Sequence, residues 1–288
     1  MSNKTVLVKA VRNDGEVFNY HDSDWGITSL EGVDFPVIEI FKSNRGYGNG
    51  SIITGKRKQS RQIDIKAQEQ NKLNNAEDRA RAIGFHNSNY TFDLYITYMG
   101  VTRIAKDCQL EAAALPNDNV WKRLNLTVSY LHPESDLLGE NSKSTNFTDT
   151  DPLWHVTRAY APEGGTLAFG VINHATSKVL SYLGSEDTFI HVSLEATGLV
   201  QGVKVSIGDV SVTVNVTLGT EDVMEIDSEA KTVKVNGIDV PPANYNGEQL
   251  PKLMLRYGDN VVSVEDATDE GNTAFDAQVT YIGRYGGL

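Results

Sequence analysis

Residues 27–67 read ITSLEGVDFPVIEIFKSNRGYGNGSIITGKRKQSRQIDIKA. An apolar, alternating run (Val33, Phe35, Val37) leads to a glycine-dense tip at Gly46, Gly48 and Gly50, and a second run, Ser51 to Thr54, leaves it. A basic segment follows at Lys56, Arg57, Lys58 and Arg61. Gln62 to Lys66 then alternates polar with apolar, the period of a half-buried strand. The stretch predicts two or three antiparallel strands joined by a glycine tip and a charged turn. It holds no obvious catalytic group; its pattern is that of an edge made to pair or pack with something else. Arg45, Tyr47, Lys56, Arg57, Lys58 and Arg61 are the candidate contacts to another subunit or partner.

Around this stretch, Thr5 to Val11 alternates as a first strand, and Asp14-Gly15 signals a turn. Asn71 to Gly84 predicts one helix, with Leu73, Ala76, Ala80 and Ile83 at helical spacing, an Asn75 cap and a Gly84 stop. Strand signals return over Phe92–Tyr98, Val101–Leu110 and Leu124–Tyr130. The first domain, 1–138, is therefore predicted as antiparallel β with one helix, an α+β arrangement. Residues 139–150 are polar and poor in apolar side chains, which predicts a linker. Residues 151–288 are almost wholly strand-like, with Val200–Leu218 as one run, a tight turn at Asn236-Gly237, and a hairpin over Leu253–Val264. Short strands at regular spacing predict a β-sandwich.

The chain has 288 residues and a net charge of −12, all of it in the second half. Residues 1–138 hold 17 Lys+Arg and 17 Asp+Glu; residues 139–288 hold 9 and 21. Neither half is basic, which argues against duplex binding through phosphate neutralisation. One cysteine, Cys108, allows neither an intrachain disulfide nor a cysteine-based zinc site. No apolar run approaches the roughly 20 residues of a membrane span, and Met1–Lys9 lacks a signal-peptide core, so synthesis in the host cytoplasm without membrane insertion is expected.

Each candidate chemistry fails in context. Gly46, Gly48 and Gly50 precede strand-like Ser51-Ile52-Ile53 rather than a helix, so they are not a phosphate loop. His21, His86, His132, His155, His174 and His191 show no ligand spacing, and no metal site is expected. Asp266, Asp269, Glu270 and Asn272 form an acidic turn without the alternation of a calcium loop, read as a solvated loop. No Gly-x-Ser-x-Gly elbow occurs. Neither catalysis nor a cofactor is expected.

The order of features resembles the distal tail protein (Dit) family of long-tailed phages. The resemblance rests on Ile27-Thr28-Ser29-Leu30-Glu31-Gly32, on Gly55–Ile65, on the helix before Gly84 and on LTVSYLHPESDLL at Leu126–Leu138. In the second domain it rests on Met224-Glu225-Ile226-Asp227, Asn236-Gly237, Tyr257-Gly258-Asp259-Asn260 and Tyr281-Ile282-Gly283-Arg284-Tyr285. It implies a structural protein of the virion tail tip. Six copies would form a ring through their amino-terminal domains, with DNA only as cargo, and a galectin-like β-sandwich would project outward. The ring would join the tail tube protein to a tail-associated fibre or lysin protein and to a receptor-binding protein. A carbohydrate-binding, lectin-like protein is the alternative. Trp154, near the linker, is the second domain's lone tryptophan, so an aromatic sugar platform is not evident.

Overall fold

The quoted stretch spans four strands of the computed structural model, which describes residues 6–22, 24–70, 76–116, 123–152, 170–269 and 272–288. The chain divides into two compact units, residues 1–140 with 284–288, and residues 141–283. Among the described residues the fold is mainly antiparallel β with a single α-helix.

The first unit holds β1 (Val6–Arg12), β2 (Val17–Asn19), β3 (Trp25–Glu31), β4 (Ile38–Asn44), β5 (Ser51–Lys58), β6 (Arg61–Glu69), α1 (Ala76–Phe85), β7 (Thr91–Tyr98), β8 (Val101–Ala114) and β9 (Asn125–His132). The start of β10 (Leu137–Asn146) pairs with β8. The main sheet runs β2-β1-β7-β8-β9-β6-β3. Alternation decides which face is core: along β6, Arg61, Ile63, Ile65, Ala67 and Glu69 point inward and their neighbours outward. Val8, Leu94, Ile96, Val128 and Tyr130 complete that core from the other strands. The sheet curls so that β1, one strand in from one end, and β3, at the other end, line one cleft.

The helix corrects the predicted stripe. Ala76, Ala80 and Ile83 face solvent, whereas Asp78, Ala82 and Phe85 are buried; Leu73 and the expected Asn75 cap lie outside the described residues. The reason is Phe85, one residue past the glycine expected to stop the helix. Its ring stands 5.3 Å from that of Phe18 and 5.5 Å from that of Phe92, and this contact fixes the helix rotation. Val33, Phe35 and Val37 also depart from the expected strand: they form an irregular connection between β3 and β4.

The second unit takes up the rest of β10, then β11 (Thr148–Pro152), β12 (Gly170–His174), β13 (Ser177–Tyr182), β14 (Thr188–Ala196), β15 (Val200–Ile207), β16 (Val210–Leu218), β17 (Val223–Asp227), β18 (Thr232–Val235), β19 (Ile238–Asp239), β20 (Met254–Leu255), β21 (Gly258–Asp266) and most of β22 (Phe275–Tyr285). One sheet runs β19-β18-β17-β14-β22 with β20 beside β14; a second runs β13-β21-β15-β16. Val192, Leu194, Ile226 and Val279 of the first share a core with Leu180, Val205, Val214 and Val264 of the second, which makes a β-sandwich.

Three expectations change here. The 139–150 segment is mostly strand, within β10 and β11, not a free linker. The Val200–Leu218 run is a hairpin, β15 and β16, that turns at Gly208-Asp209. The expected 253–264 hairpin is instead a corner: β20 joins β14, while β21 joins β13 and β15 in the other sheet. The Asn260 amide explains the corner. Its Oδ1 accepts from the Arg256 N–H at 2.9 Å and its Nδ2 donates to the Arg256 carbonyl at 2.7 Å, so the chain is held in a bend rather than a ladder. Gly258, at φ +101°, supplies the left-handed step.

Candidate interaction surface

Strands β4 and β5 pair with each other and with no other described strand. They form an arm whose root is closed by the Gln59 N–H on the Val37 carbonyl at 2.9 Å. Gly48 and Gly50, at φ +99° and +101°, let its tip turn where a side chain would be strained. No residue of either strand is buried. Phe35 at the root is 93% exposed and Tyr47 at the tip 100%; Ile38, Ile40, Phe41, Ile52 and Ile53 are exposed as well. So much apolar surface on a hairpin of this length marks a binding surface.

Directly opposed residues of two strands share a face. One face of the arm carries Ile38 opposite Lys58, Ile40 opposite Lys56 and Lys42 opposite Ile53. The other carries Glu39 opposite Arg57, Phe41 opposite Gly55 and Ser43 opposite Ile52. On that second face Arg57 Nε donates to Glu39 Oε2 at 2.7 Å, and its guanidinium lies 5.6 Å from the Phe41 ring centre. The Arg57 partner holds the Glu39 carboxyl below its ordinary pKa.

The six candidate residues therefore separate. Arg45 and Tyr47 sit at the exposed tip, and Lys56 and Arg57 on opposite faces of β5. Lys58 anchors the root, its Nζ donating to Asp136 Oδ1 at 2.7 Å. Arg61 is no surface residue: it is 5% exposed. Its guanidinium donates to the carbonyls of Ser135 (2.9 Å), Gly32 (3.2 Å), Asp34 (2.7 Å) and Gly286 (2.6 Å). Burial lowers its pKa from the ordinary arginine value, opposed by the charges of Asp136 and Asp34. Arg61 opens β6 with an inward phase, so the alternation of Arg61–Ile65 already places it inside. Gly32 has to be glycine, because a Cβ there would stand 1.8 Å from the Gln62 carbonyl oxygen.

The cleft between β1 and β3 is a feature the sequence reading missed. Its volume is about 830 Å³, and its walls include Val6, Trp25, Ile27, Leu30, Val33 and Tyr98, with Asp22 and Asp34 at its edge. A signal for it exists in the sequence: residues 13–34 contain six Asp or Glu and no Lys or Arg.

The remaining reactive side chains are spent on structure. Cys108 is buried and its thiol pKa is pushed far up, away from thiolate chemistry. His86 Nδ1 donates to the Ala82 carbonyl at 2.6 Å, and its Nε2 accepts from the Tyr20 hydroxyl at 2.6 Å, which in turn meets the Tyr130 hydroxyl at 2.8 Å. Burial brings the His86 pKa down to about 4. Asp266 corrects the solvated-loop expectation: it is buried. It accepts from the Gln201, Thr268 and Asp269 N–H groups, the Thr268 hydroxyl and the Asn272 amide. Burial alone would raise its pKa, but these donors bring it down to about 2 and occupy the oxygens that a cation would need. Glu270 lies outside the described residues, as do Trp154 and His155. Among the described residues no three His, Cys, Asp or Glu side chains cluster as metal ligands, and no helix is long and apolar enough to cross a membrane.

No protein-family model matches the sequence, and no curated protein is similar to it in sequence. In three dimensions the chain is similar to the SPP1 Dit (gp 19.1) protein, described as a paradigm of the hub adsorption apparatus in phages infecting Gram-positive hosts. The TM-score is 0.65 at 12% identity, over 96% of this chain and 98% of that one. It is also similar to chains of the phage P2 baseplate in its activated conformation with Ca and with Sr, each at a TM-score of 0.46 and 9% identity, with the same coverage. The chain thus has a Dit-like fold.

Proposed function

We propose that this chain is a structural hub of a phage tail tip, not an enzyme. The Dit-like fold over nearly the whole chain supports the assignment, and the observation that carries it is the exposed apolar arm β4–β5, whose two strands pair with no other described strand. In this reading six copies close head to tail into a ring through residues 1–138. That half has balanced charge, whereas copies of the acidic half would repel one another modestly at physiological salt. Residues 151–288 form the galectin-like sandwich that projects from the ring. Arg45, Tyr47, Lys56 and Arg57 face a neighbouring subunit. The ring joins the tail tube protein to a fibre or lysin protein and to a receptor-binding protein, with DNA passing through as cargo.

Negative-stain microscopy with light scattering of the full chain tests this. Six-fold rings are the expected result. A monomer up to high concentration, or cell-wall hydrolysis abolished by a single substitution, would overturn it.

A further inference from the structure

The arm and the cleft have opposite chemistry. The arm, residues 38–58, carries Lys42, Arg45, Lys56, Arg57 and Lys58 against the single carboxylate of Glu39. Glu39 is occupied by Arg57 on one face; the other face presents Ile38, Ile40 and Ile53 with Lys42 and Lys56, while Lys58 at its root is held by Asp136. The cleft is apolar at Ile27 and Leu30, and its lining carries Asp22 and Asp34 with no Lys or Arg.

The backbones match too. β3 pairs with β6 on one side and with no described strand on the other. β4 and β5 each have one free edge as well. Free edges of this kind pair with strands from other molecules unless something blocks them. The arm cannot fold back to serve its own cleft. It starts four residues past Asp34, on the cleft's own rim, and its strand of seven residues carries the tip about 20 Å away at the usual rise per residue.

We infer that the isoleucine–lysine face of the arm of one copy seats in the β1–β3 cleft of the next, adding a strand to the free edge of β3 and setting lysines against Asp34 in the cleft lining and Glu31 beside it at the end of β3. The occupant is a second copy of this chain. The contact joins two different patches, so it is heterologous and propagates around a ring rather than ending at a dimer. This inference rests on the ring reading above and specifies its joint.

Charge exchange in the full-length chain tests it. One variant reverses the arm (Arg45→Glu with Lys56→Glu); a second reverses Asp34 of the cleft and Glu31 at the adjoining end of β3 (Glu31→Lys with Asp34→Lys). All four side chains are exposed, and unchanged circular dichroism and melting report intact folding. Each variant alone should need at least about tenfold more protein to assemble, since like charges then meet across the joint. The chain with all four reversals should assemble near the wild-type concentration, as should an equal mixture of the two variants. Rings that form equally well from both variants would overturn the seating and leave the ring reading standing. A wild-type chain that never assembles would overturn both. A loss of rings that neither the four-reversal chain nor the mixture restores would also overturn the seating. Should either reversed chain fail to fold, Thr28→Cys with Ile40→Cys supplies a second readout. Oxidation should give intermolecular disulfide ladders, and their absence in assembled rings would count against the joint.

Discussion

Two hairpins of similar length show opposite uses of the same geometry. In β15–β16, alternate residues enter the sandwich: Val200, Val203, Val205 and Ile207 are buried on one strand, Val212, Val214 and Leu218 on the other. In β4–β5 Ile38, Ile40, Phe41, Ile52 and Ile53 supply as β-prone a set, and none of it is buried. β-propensity is satisfied in both. An isolated two-stranded hairpin is at best marginally stable in water, so packing makes the difference. The first hairpin is held by its own unit; the second is built to be completed by something else.

That contrast can be broken at its strong end. Leu218→Ala removes a fully buried side chain from β16 and should cost about 4 kcal/mol, read by urea unfolding of the dilute protein. A loss below about 1 kcal/mol would mean the sandwich core is looser than its burial implies. Next comes the root of the arm. Arg61→Met leaves the carbonyls of Gly32, Asp34, Ser135 and Gly286 without their donor and should cost about 3 kcal/mol. The transition of the first unit should shift and that of the second should not.

A pH experiment sharpens the comparison of the units. His86 is held neutral in the fold, its pKa lowered to about 4 from 6.5. The folded pKa is depressed, so the unfolded chain binds the proton first. The stability due to the neutral ring is complete above about pH 6.5 and is lost as pH falls toward 4, by about 3 kcal/mol in all. His132, also lowered by burial, acts in the same direction. Melting of the first unit should therefore drop steeply between pH 7 and 4.5. A His86→Gln chain should lose most of that slope; an unchanged slope would refute the assignment. The smallest effect is expected on the arm: Ile53, 65% exposed, should tolerate alanine to within about 0.5 kcal/mol in the unassembled chain.

Much of this was legible in the sequence because strand alternation is local. β6, β7 and β9 all fall where period-2 runs place them. So does the glycine tip of the arm. What failed needed information from distant residues. The helix stripe was set by Phe85 meeting Phe18 and Phe92, and the sheet change at Gly258 by an amide bonding to Arg256. Arg61 looked like part of a basic surface run because its charge is local and its carbonyl partners are not. The cleft was invisible for the same reason: its walls come from strands near the two ends of one sheet, and only the run of carboxylates over 13–34 hinted at it.

Arg61 also ties residues 32–34 to residue 286, far apart in the sequence. Gly286 supplies one of its four acceptors, and Leu288 donates its N–H to the Val33 carbonyl at 3.1 Å, at the foot of the arm. The first unit is thus interrupted at residue 140 and resumed at 284, with the whole second unit spliced between. During synthesis the segment around Arg61 is made long before residues 284–288, and its arm is fully rooted only once they follow. Any truncation within the second unit leaves the arm without that tether.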